Sequence, residues 1–63
     1  MEDYKEGDHV FVLDPEYGEK PGVIHSITGN VLYIQGPHID AVRVFTWTVD
    51  LSFEHVAAMV RKA

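Results

Sequence analysis

The side chains of this 63-residue chain with chemistry to offer are four histidines, ten carboxylates and seven aromatic rings; it has no cysteine. A zinc site takes three or four ligands converging on one point. His9, His25, His38 and His55 include no pair at the i, i+4 spacing of a helical site and no His-x-His. His9 and His25 fall on segments that read as neighbouring strands and could meet, but exposed or half-buried histidines of a small barrel are the plainer reading of the four. Ser26 and Ser52 lack the flanking glycines of a nucleophile elbow. The run Gly18-Glu19-Lys20-Pro21-Gly22 neither has the spacing of a phosphate loop nor precedes a helix. A hydrolytic triad needs serine, histidine and acid in one pocket, and so short a chain encloses little pocket volume. The expectation is a non-enzymatic protein with no catalytic residue, no metal and no cofactor.

The carboxylates and aromatics are more informative. Residues 1–20 carry seven acids against two bases, while residues 21–63 carry three of each, so the formal charge of −5 sits in the first third. Such a surface attracts basic partners and repels phosphate; it also serves plain solubility. Tyr17 stands among Asp14, Glu16 and Glu19, in a segment bounded by Pro15 and Pro21, whose fixed φ limits the ordering entropy lost on binding. It either folds back as a lid or anchors a partner, as tyrosines at interface centres do. Arg43 alternates with Phe45 and Trp47, so its guanidinium either stacks on Trp47 or belongs to a partly apolar docking face. The expected partner-binding residues are Asp14, Glu16, Tyr17, Glu19, Arg43 and Trp47.

Positioning these residues is the work of short strands. Val10–Leu13 is an apolar run that reads as a buried strand, His9–Leu13, stopped by Asp14-Pro15. Residues 14–21 read as a loop. Gly22 opens a second strand over Val23–Ile27. Gly29-Asn30 is a two-residue hairpin turn with positive φ at the glycine, and Val31–Gln35 returns from it. Gly36–Asp40 is a further loop, and Ala41–Val49 a long β-branched and aromatic strand. Phe53, Val56, Ala57 and Val60 then share one face at helical spacing. Ser52 serves as N-cap, Glu54 stands in the first turn and Arg61-Lys62 in the last, so a helix is expected over 52–62. Phe11, Phe45, Phe53 and one of Tyr33 or Trp47 are the expected core aromatics.

One domain, 7–63, follows a flexible segment, 1–6. A chain this small buries only about 60% of its unfolded surface, and without disulfides it needs a well-packed core or association. No apolar run reaches membrane-spanning length, and the acidic start, Met1 to Glu6, is unlike a signal peptide. The expectation is a cytoplasmic location and no membrane. An open meander leaves aggregation-prone edges, so the fold class expected is mostly β: a small barrel of four to five strands with a short C-terminal amphipathic helix.

The stretches Gly7-Asp8-His9-Val10-Phe11-Val12 and Tyr17-Gly18-Glu19-Lys20-Pro21-Gly22-Val23-Ile24 resemble the opening of SH3-like barrels. KOW domains, the nitrile hydratase β-subunit barrel and the small photosystem I barrel subunit are similar here. The likeness spans residues 7–35 and rests mainly on turn glycines and alternating apolar residues. It implies an SH3-like barrel. RNA-binding KOW domains use basic loops, whereas the matching loop here is acidic, so nucleic acid is not the expected partner. The function expected is a protein-binding module, an adaptor or inhibitor, meeting a basic surface through loop 14–20 and nearby aromatics. A stand-alone acidic domain of this size also suits a phage or plasmid accessory protein. The alternatives are a self-associating subunit, a homo-oligomer built on the aromatic strand at 41–49, and a KOW-like nucleic-acid-binding domain.

Overall fold

The computed structural model describes residues 4–63. It is mostly β: β1 (His9–Asp14), β2 (Gly18–Thr28), β3 (Val31–His38), β4 (Val44–Asp50), α1 (Glu54–Ala57) and β5 (Val60–Lys62). All pairings are antiparallel, in the order β4-β3-β2-β1-β5. No ladder joins β4 to β5, so the sheet stays open and these two strands are its edges.

Alternation along the strands makes the core. Val10 and Val12 from β1, Ile24 from β2, Leu32 and Ile34 from β3, Val49 from β4 and Val60 from β5 are buried together. They lie on one face because side chains two apart on a strand point the same way. The registers Ile24↔Ile34, Leu32↔Val49 and Val12↔Val60 set them side by side across the ladders. His25 falls at a register shift between Ile24↔Ile34 and Ser26↔Tyr33, where one extra β2 residue bends the strand. Tyr4, Ile27, Trp47, Leu51 and Val56 pack around the margin.

The expected Gly29-Asn30 hairpin is present. Thr28 pairs with Val31, and Gly29 has φ +59, a conformation costly to a residue with a Cβ. Gly22 has a different role from opening a strand. It lies within β2, where an added Cβ would sit 2.7 Å from Ile34 Cγ2 and 3.4 Å from Trp47 Cζ3. Its missing side chain is room for the core.

The helix expected over 52–62 is corrected. Only Glu54–Ala57 is helical, and Val60–Lys62 is a strand paired with β1. An isolated helix of about eleven residues is marginal in water, whereas Val60 in β5 fills the core beside Val12 and covers the open edge of β1. Phe53, expected in the core, is exposed, and Phe11 is only half-buried. The segment expected to be a loop over 14–21 is shorter: Pro15–Tyr17 make the turn, and β2 already begins at Gly18. The strand expected from Ala41 begins at Val44. Residues 1–3 of the segment expected to be flexible lie outside the described residues.

Candidate functional site

The β1–β2 turn and the start of β4 meet at one end of the sheet. Asp14 organises the turn: its Oδ1 accepts hydrogen bonds from the backbone N–H of Glu16 at 2.8 Å and of Tyr17 at 3.0 Å. This is the local habit of an aspartate before a turn. Gly18 then takes φ +80 to lead the chain back into β2. The other oxygen, Oδ2, accepts the indole Nε1–H of Trp47 at 2.9 Å. That bond reaches from β4 to β1 across the two strands between them, which requires the sheet to curl over its core face. The Trp47 donor and the two backbone donors hold the Asp14 carboxyl below its ordinary 3.8, with Lys20 adding a smaller attraction.

Trp47 is seated on backbone. An added Cβ at Gly36 would stand 2.6 Å from both Cζ3 and Cη2 of the indole. Phe45, two residues earlier on the same face, stacks on Trp47 with centroids 5.5 Å apart and planes 9° apart. Tyr17 meets Phe45 edge-on, at 5.2 Å and 75°. Both are favoured aromatic geometries. The Lys20 ammonium lies 5.9 Å from the Phe45 centroid. The result is a continuous run, Tyr17–Phe45–Trp47, fixed at one end by Asp14. Tyr17 is 54% exposed, so it both folds back onto the sheet and presents a ring to solvent.

The other expected residues divide. Glu16 is exposed beside Tyr17, and among the described residues no hydrogen bond or ion pair engages its carboxylate. Glu19 lies on the opposite face of β2 and receives both Nε (3.1 Å) and Nη2 (3.0 Å) of Arg61. The Arg61 guanidinium also lies 4.7 Å from the Phe11 centroid. Arg43 is corrected: it does not stack on Trp47. It precedes β4 and pairs with Asp40 through Nε at 2.7 Å, while Asp40 Oδ1 accepts the N–H groups of Val42 and Arg43. Those bonds hold Asp40 below its ordinary range, the Val42 N–H first and the Arg43 side chain second. The structure thus brings together Asp14, Glu16, Tyr17 and Trp47, and sets Glu19 and Arg43 apart from them.

Phe45, expected as a core aromatic on the Trp47 face of its strand, joins the site, and Lys20 is the member that the sequence did not suggest. The histidines are dispersed: His9 opens β1, His25 sits at the bulge, His38 ends β3 and His55 lies in α1. Among the described residues no group of three or more metal-ligating side chains gathers, and no helix is long and apolar enough to cross a membrane. Comparison of the chain with protein-family models, with curated proteins and with solved structures returned no match.

Proposed function

We propose that this protein is a small non-enzymatic binding module whose contact surface is the Tyr17–Phe45–Trp47 end of the sheet. The observation that carries the reading is the combination at Tyr17: a half-exposed ring in edge-on contact with Phe45, next to the Glu16 carboxylate, which no hydrogen bond or ion pair engages among the described residues. A preorganised aromatic loses little freedom on binding, and a charged rim steers the encounter. The negative net charge favours a protein with a basic surface as the partner, acting in an adaptor or inhibitor relationship. In the same reading the curled sheet is an SH3-like barrel. The strand order and the Trp47–Asp14 bond across the core face support that architecture.

Site-specific photo-cross-linking tests the surface. A benzophenone amino acid is placed at position 17 and, in a second sample, at Thr28, which sits exposed at the β2–β3 turn. The reading expects one discrete cross-linked protein from position 17 and not from position 28, reduced by high salt. Equal yields from both positions would overturn it.

A further inference from the structure

Among the described residues, β4 has β3 on one side and no strand on the other. In an antiparallel ladder alternate residues direct both backbone groups away from the partner strand, so this edge offers hydrogen bonds to another extended chain. Natural sheets usually blunt such an edge with charge, proline or brevity. The opposite edge, β5, follows that rule: it is three residues long and carries Arg61 and Lys62. β4 does not. From Val44 to Val49 it is an unbroken run without a charge or a proline.

A second observation concerns what stands at its two ends. Val42, just before β4, is 88% exposed, with Ile39 also exposed nearby. Phe53, just after β4, is 55% exposed. Apolar side chains therefore flank the open edge at both its beginning and its end. An antiparallel copy of the same strand would bring the beginning of one to the end of the other, which makes the edge complementary to itself.

We propose that two copies of this protein associate through β4, antiparallel about a two-fold axis at Trp47. In that register Val44 opposes Asp50, Phe45 opposes Val49 and Thr46 opposes Thr48, twice each by symmetry. Val42 and Phe53 lie outside the paired residues, in the bend before β4 and the turn after it, at the two ends of the joined strands. The pairing keeps the core faces of both sheets on the same side, and it leaves Tyr17 outside the joined strands.

Thr46 and Thr48 are exposed, so charges placed there test the contact without entering the core. Sedimentation equilibrium over roughly 1 µM to 1 mM protein spans the range of weak to moderate association. The wild type is expected to pass from 7.1 kDa towards twice that mass. Thr46→Lys with Thr48→Lys sets like charges opposite each other and should raise the midpoint at least tenfold. Thr46→Lys with Thr48→Glu sets opposite charges together in this register and should restore it. Circular dichroism confirms that each variant is folded. Should a variant unfold, hydrogen exchange of the wild-type β4 amides replaces it: their protection should rise with concentration while that of β5 does not. A wild type monomeric throughout, a dimer indifferent to paired lysines, failure of the Lys–Glu combination to restore association, or concentration-independent exchange in β4 each overturns the proposal.

Discussion

Gly36→Ala tests the packing on which the candidate site rests. The new methyl carbon would lie 2.6 Å from two indole carbons of Trp47 and 3.1 Å from Phe45 Cβ. Carbon atoms rest about 3.5–4.0 Å apart, so the ring must retreat by about 1 Å. The indole is stacked on Phe45 on one side and tied to Asp14 through Nε1, so its retreat disturbs both contacts. Overpacking of this kind costs about 1–3 kcal/mol. Replacing glycine returns about 0.4–1 kcal/mol by restricting the unfolded chain. A net loss of about 1–2 kcal/mol lowers Tm by roughly 4–16 °C for a domain of this size. Trp47 is the only tryptophan, so its fluorescence reports the displacement directly while circular dichroism follows the melt. The decisive comparison is a double-mutant cycle with Trp47→Leu, which removes the clashing ring. Gly36→Ala should be nearly neutral or stabilising in that background. Equal destabilisation with and without the indole would refute the claim that Gly36 is the seat of Trp47.

The remaining predictions follow from single contacts. Gly29→Val should destabilise by about 1–2 kcal/mol, because φ +59 crowds a branched side chain; an unchanged melt would show the hairpin turn is misplaced. Phe53→Ser should change stability by less than about 0.5 kcal/mol, since the ring is exposed, whereas Val60→Asp should unfold the domain. A large loss from Phe53→Ser, measured by urea denaturation, would restore the helix over 52–62. Asp14 has a folded pKa lowered from 3.8, so its contribution is complete above the unfolded value and is lost as pH falls through the folded one. Asp14→Asn should therefore melt less steeply with falling pH below about 4 than the wild type does, and an identical acid profile would count against the Trp47–Asp14 bond.

Local and non-local signals separate cleanly in this chain. The strand positions Val10–Leu13, Val23–Ile27 and Val31–Gln35 were legible from their apolar residues and from Gly29-Asn30, because strand and turn chemistry are properties of neighbouring residues. The C-terminal segment was not. Phe53, Val56, Ala57 and Val60 satisfy helical spacing, and what turns Val60–Lys62 into a strand is the open edge of β1, nearly fifty residues earlier in the chain. A separation of 42 residues likewise hides the pairing of Glu19 with Arg61. Asp14 read as one carboxylate of an acidic loop, yet both its oxygens are engaged within the protein, one of them by a residue three strands away in the sheet order. Arg43 was misplaced for a local reason: Asp40, three residues before it, captures the guanidinium before Trp47 can.

Under the proposed function, Tyr17 serves recognition beyond its place in the fold. The most direct test of this role is one variant, Tyr17→Ala, measured twice, for Tm and for affinity to the protein captured by cross-linking at position 17. A loss of about 2 kcal/mol or more in affinity is expected, as for a hot-spot tyrosine, expressed mainly as faster dissociation. A smaller loss of stability is expected from the edge-on contact with Phe45, about 0.5–1.5 kcal/mol. A variant with lowered Tm and undiminished affinity would show that Tyr17 is only a lid on the sheet and would contradict the account.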